Sequence, residues 1–127
     1  MAESANQPQK NAPARPTEPG KDEPLGYDPT GGQLQFDGLS VADLAAEYGT
    51  PLYLYSGDYI RRRLAALREG LGDRRHLICY AVKANSNLAI LKLVGESGSG
   101  ADIVSGGELF RALKAGIPAE RIVFAGV

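Results

Sequence analysis

The stretch His76 to Asn85, HLICYAVKAN, constrains this chain more than any other. Leu77 to Val82 is apolar at every position, and the run ends abruptly in Lys83, followed by Ala-Asn-Ser-Asn. An apolar run without alternation predicts a parallel strand covered on both faces. In parallel α/β folds the active site lies at the C-terminal ends of the strands, which is where this run delivers its lysine. A lysine partly desolvated there has its pKa lowered, and the free amine becomes a nucleophile. The simpler reading is a lysine that ends a core strand and snorkels to water. The stretch alone leaves both open.

The rest of the second half repeats the unit. Asn87 caps a helix running to about Glu96, with Gly95 and Gly98 at its end, and Ala101 to Val104 is a short strand. Ser105-Gly-Gly-Glu108 opens a further helix that stops near Gly116, and Arg121 to Ala125 is another strand. The pattern is β-α-β-α-β, which argues for a parallel sheet. The strand ends fall at Lys83, Val104 and Ala125, twenty-one residues apart each time. Equal spacing favours a barrel over an open sheet. A closed (β/α)₈ barrel needs roughly 250 residues, so three such strands predict part of a longer protein or a truncated reading frame.

Upstream, residues 1–32 hold six of the eight prolines and little large apolar surface. Such a segment cannot offset its ordering entropy, and it is expected to be a disordered leader. Pro13 to Pro16 and Pro16 to Pro19 fit a PxxP spacing, and an interaction module built on the leader is the alternative. Gln33 to Leu39 is expected to be a short strand. Ser40 caps a helix whose apolar positions are Val41, Leu44, Ala45 and Tyr48, with Gly49 ending it. Pro51 to Tyr55 alternates like a strand, and Ser56 caps a helix over Gly57 to Leu71. Its Arg61, Arg62 and Arg63 fan around the helix and cannot converge on one phosphate, so they read as a solvated face.

Charge and cysteine content narrow the function. A net charge of −1 gives no electrostatic case for nucleic acid or an anionic membrane. One Cys and one His cannot assemble a zinc set. A single cysteine fits a reducing cytoplasm, and no apolar run approaches the roughly 18 residues of a membrane helix. The glycines from Gly95 to Gly100 precede a strand, so they form a helix-to-strand connection rather than a phosphate loop. Ser105-Gly106-Gly107 does follow a strand, and its amides could hold a phosphate. Asp102 lies inside an apolar strand, where an unpaired charge is costly, and Lys83 on the neighbouring strand is its expected partner. Glu108 stands three residues after Ser105; a capping box and a contact with the lysine explain it equally. Cys79 reads as a core residue and His76 as a surface one.

Together, Tyr80-Ala-Val-Lys-Ala-Asn85, Gly100-Ala-Asp-Ile-Val-Ser-Gly-Gly-Glu-Leu109 and Ile122-Val-Phe-Ala-Gly126 resemble the diaminopimelate decarboxylases, as does Gly49-Thr-Pro-Leu-Tyr53 upstream. The resemblance covers residues 34 to 127, within the wider ornithine, diaminopimelate and arginine decarboxylase family. It implies an α/β fold: the N-terminal part of a pyridoxal-phosphate-binding (β/α)₈ barrel of the alanine-racemase type. Residues 33–56 would be shared with a β domain and the barrel entry, and residues 57–127 would form the first part of the barrel. Lys83 would be the Schiff-base lysine, with Ala81 and Asp102 also against the cofactor. Asp102 and Glu108 would act on the lysine once substrate displaces it. The implied reaction is decarboxylation of meso-2,6-diaminopimelate to L-lysine by a cytoplasmic homodimer with shared active sites and a small amino-acid substrate. A same-fold alternative is an arginine or ornithine decarboxylase, and a different one is a non-catalytic remnant. The family's later phosphate loop, its acid for the pyridine nitrogen, its stacking histidine and its C-terminal cysteine have no counterpart in residues 1–127. This polypeptide alone is therefore expected to be inactive.

Overall fold

The computed structural model describes residues 23–126, which divide into two units after Leu54. The first unit is a small antiparallel sheet followed by a helix. Strands β1 (Leu25–Tyr27), β2 (Leu34–Phe36) and β3 (Leu39–Ser40) pair in chain order. The β2–β3 connection is the two-residue turn Asp37-Gly38, both residues at positive φ. That is the backbone a tight hairpin requires, and Asp-Gly supplies it at low steric cost. Helix α1 (Val41–Tyr48) begins at Ser40, whose hydroxyl accepts from the Asp43 amide, and ends at Gly49 with φ 81°.

Three expectations change here. Residues 1–22 of the expected leader lie outside the described residues, but its C-terminal end is built into β1, because Leu25–Tyr27 finds a partner in β2. The strand expected at Gln33 to Leu39 is a hairpin instead of one element. Pro51 to Tyr55, expected as a strand, carries no ladder; its alternation finds no neighbouring strand to pair with among the described residues.

In the second unit, Ser56 caps α2 (Gly57–Leu71) through the Tyr59 amide. Strands β4 (Cys79–Ala81), β5 (Gly100–Ile103) and β6 (Ile122–Phe124) form a parallel sheet in that order, linked by α3 (Leu88–Glu96) and α4 (Gly106–Lys114). The register runs Tyr80, Ala101, Ile122 and then Ala81, Asp102, Val123 straight across the sheet. The twenty-one-residue spacing of the sequence is thus the register itself.

Alternation across the pleat divides the side chains. Ala101 and Ile103, with half-buried Tyr80 and Ile122, pack against Leu91 of α3, Ala112 of α4 and Ile117. Cys79, Ala81 and Asp102 take the opposite face. At the N-terminal end of β5, Arg68 of α2 donates to the hydroxyl of fully buried Ser99 at 2.8 Å. The arginine triplet is exposed, as its fan around the helix requires; Arg61 pairs locally with Asp58 at 2.9 Å. The apolar run of residues 77–82 becomes strand only from Cys79, where pairing with Gly100 begins. Val82–Ala84 curls into a single 3₁₀ turn, and Leu77 is exposed.

Candidate active site

Lys83 sits in the 3₁₀ turn at the C-terminal end of β4, and its neighbour Val82 is fully buried in the core. The turn thereby anchors one side chain in the core and presents the next to solvent. Lys83 opens onto a cleft of about 370 Å³ whose wall also includes Ser86, Ser105, Glu108 and Arg111. The partial desolvation expected of the lysine is not supplied by the described residues, among which it is exposed and has no ion-pair partner.

Below it, Ala81 stands beside Asp102 in the parallel ladder. Asp102 carries a buried carboxylate oxygen, Oδ1, with no hydrogen-bond partner among the described residues. The expected ion pair with Lys83 is not formed; no salt bridge among the described residues includes Asp102. Its charge is felt by Cys79 instead. Burial first, and the Asp102 carboxylate second, push the Cys79 thiol above its ordinary value. Tyr80, on the core face, is also raised, chiefly by burial.

Glu108 takes the capping alternative. The Ser105 hydroxyl accepts from the Glu108 amide at 3.2 Å, and Glu108 Oε2 accepts from the Val104 amide at 2.6 Å. The carboxylate thus closes the end of β5 onto the first turn of α4, a capping box shifted by one residue. Glu108 and Lys83 share the cleft without an ion pair. Arg111 and Ser86 are cleft residues that sequence reasoning passed over. The signal was present: Arg111 follows Glu108 by three and so shares its helix face.

A pyridoxal-type cofactor presents an aldehyde, and an exposed primary amine on the wall of a cleft is the group that captures one. The unpartnered Asp102 oxygen adjoins that strand end and has capacity to accept a proton-bearing partner. The residues present fit such a group.

Comparison with known proteins decides the family. The pyridoxal-dependent decarboxylase family, pyridoxal binding domain, matches residues 57–127. The chain belongs to that family. Its cofactor is pyridoxal phosphate. The chain is 58% identical over 96 residues to a diaminopimelate decarboxylase of Aquifex aeolicus, covering 76% of this chain and 22% of that protein. It is 53% identical to the enzyme of that name from Vibrio cholerae, covering 76% of this chain and 23% of that protein. A solved structure from Aquifex aeolicus superposes with TM-score 0.76 at 56% identity, over 82% of this chain and 25% of that one. The diaminopimelate decarboxylase of M. jannaschii, in co-complex with L-lysine, gives TM-score 0.71 at 35% identity, over 81% and 25%. The chain spans a quarter or less of the length of these relatives. The fold is the N-terminal part of the pyridoxal-phosphate-binding barrel that the family shares.

Proposed function

We propose that the protein carrying this chain decarboxylates meso-2,6-diaminopimelate to L-lysine. The observation that carries the reading is Lys83, an exposed amine on a cleft wall at the C-terminal end of β4, inside the matched domain. The relatives named above, and the L-lysine bound to one of them, support the substrate class.

Lys83 would hold the cofactor through its amine, with Ala81 and Asp102 beside it on the sheet. Ala81 is small enough to leave the sheet face open there. When bound, pyridoxal phosphate supplies the electron sink for the pair left at Cα as the carboxylate departs. The Lys83 amine, when free, would need an acidic neighbour and could move a proton at the substrate Cα. Asp102 would be that neighbour, since its Oδ1 has no partner among the described residues and is free to accept. Glu108 would keep the end of β5 in place, and its carboxylate also faces the cleft. The cytoplasmic homodimer with shared active sites belongs to the same proposal. Among the described residues no helix is long and apolar enough to cross a membrane.

The test is turnover by the protein expressed from its complete reading frame, offered meso-diaminopimelate, L-ornithine and L-arginine in parallel. CO₂ release from meso-diaminopimelate, reduced at least about a thousandfold in Lys83→Ala, is expected. Preference for ornithine or arginine, or an unimpaired Lys83→Ala variant, would overturn the reading.

A further inference from the structure

We propose that Arg111 is a positioning residue for Lys83, holding the turn after β4 against α4 through the Ser86 carbonyl. The inference rests on the reading of Lys83 as the cofactor lysine.

Apart from the buried Val82, the turn that carries Lys83 makes local polar contacts within its own βα unit. The Tyr80 hydroxyl donates to the Asn85 carbonyl at 3.5 Å, and Asn85 Oδ1 accepts from the Asn87 amide at 3.0 Å. Asn87 in turn caps α3 through the Ala89 amide at 2.9 Å. These contacts shape the turn, and Val82 packs it against β5 and α4 in the core. Arg111 adds a polar tie between the solvent side of the turn and α4. Its Nη1 donates to the Ser86 carbonyl at 3.4 Å across 25 residues of sequence. One helical turn earlier, Glu108 grips the Val104 amide at the end of β5. Helix α4 therefore holds two successive strand ends with one face, β5 through a carboxylate and the Lys83 turn through a guanidinium. Both side chains line the cleft that Lys83 opens onto.

A cation in the last turns of a helix also complements its dipole. Lys114 stands in the same last turn and can serve that purpose, so the dipole does not account for the Ser86 contact. The contact is long and exposed, and its energy is modest. Its value is geometric: a small displacement of a reacting amine is enough to slow capture of a partner.

The experiment uses the cofactor-free protein from the complete reading frame and two readouts. One is amide hydrogen exchange in residues 84–88; the other is the rate at which added pyridoxal phosphate is captured, followed by visible absorbance. Arg111→Met is expected to speed exchange in that segment about three- to tenfold, as loss of one charge-assisted contact implies. Capture should slow by a similar factor, with exchange in β1–β3 unchanged. Arg111→Lys, which keeps the charge and stem, should restore part of both. Wild-type exchange and capture in Arg111→Met would overturn the proposal, as would acceleration spread evenly over the chain. If Arg111→Met does not fold, Arg111→Lys decides alone: a local acceleration of about twofold supports the proposal, and identity with wild type overturns it. Lys83→Ala separates the two readings. Loss of capture upholds Lys83 as the cofactor lysine, whereas undiminished capture refutes that role whatever Arg111 does to the turn.

Discussion

Asp102 stands beside Ala81 in the β4–β5 ladder, two residues before Lys83 in register, with its Oδ1 buried and unpartnered. A buried carboxylate oxygen without a partner costs free energy that an apolar side chain there would not. The same carboxylate raises the Cys79 thiol, the second cause after burial. The two residues therefore report on each other.

Removing the Asp102 charge should lower the Cys79 pKa toward its ordinary value. Asp102→Asn is expected to speed alkylation of Cys79 by iodoacetamide at pH 8 about two- to threefold, since the thiolate is the reacting form. Unchanged alkylation would mean that Asp102 does not act on the thiol.

The raised thiol also sets a sign for stability. Cys79 holds its proton more tightly folded than unfolded, so the folded state binds more protons between the two pKa values. Stability should therefore fall as pH rises above about 8.5, the ordinary thiol value. Cys79→Ala should flatten that part of the profile in urea titrations taken from pH 7 to 10. A profile equally steep in the variant would assign the fall to other groups.

Gly100 is a point of close approach. A Cβ there would run into the Arg121 carbonyl oxygen and lie 3.0 Å from Cys79 Sγ. Backbone cannot yield as a flexible side chain does, so Gly100→Ala should cost roughly 3 kcal/mol, at the top of the usual range for point changes. A loss below about 1 kcal/mol in denaturant unfolding would show that the β5–β6 register relaxes easily.

Glu108 separates a capping role from a charge role. Glu108→Ala should destabilise by about 1 kcal/mol through the lost Val104 contact, while Glu108→Gln, which keeps an acceptor, should stay within about 0.5 kcal/mol. If Gln were as damaging as Ala, the negative charge and not the cap would be what matters.

The second unit was legible because parallel strands and their helices announce themselves locally. Asn87 and Ser105 cap the helices they were expected to cap, and the strand-end spacing proved to be the register. Pairing partners were harder to see. Leu25–Tyr27 lies between Pro24 and Pro29, and composition hid a strand that only its neighbour β2 makes possible. The Asp37-Gly38 hairpin signal was present but was merged into one strand. Pro51 to Tyr55 has the alternation of a strand without its partner. At the site, sequence placed Lys83 at a strand end but could not see that Asp102 would be left unpartnered, or that Glu108 would turn to the Val104 amide. Those outcomes depend on side-chain directions across two strands, which periodicity does not encode.

The proposed role of Lys83 is to hold the cofactor. It is tested most directly by loading the protein from its complete reading frame with pyridoxal phosphate, reducing with borohydride and mapping the modified peptide by mass spectrometry. The pyridoxyl group is expected on Lys83, within the segment Ala81 to Asn85. A pyridoxyl group on any other lysine, with Lys83 unmodified, would contradict it.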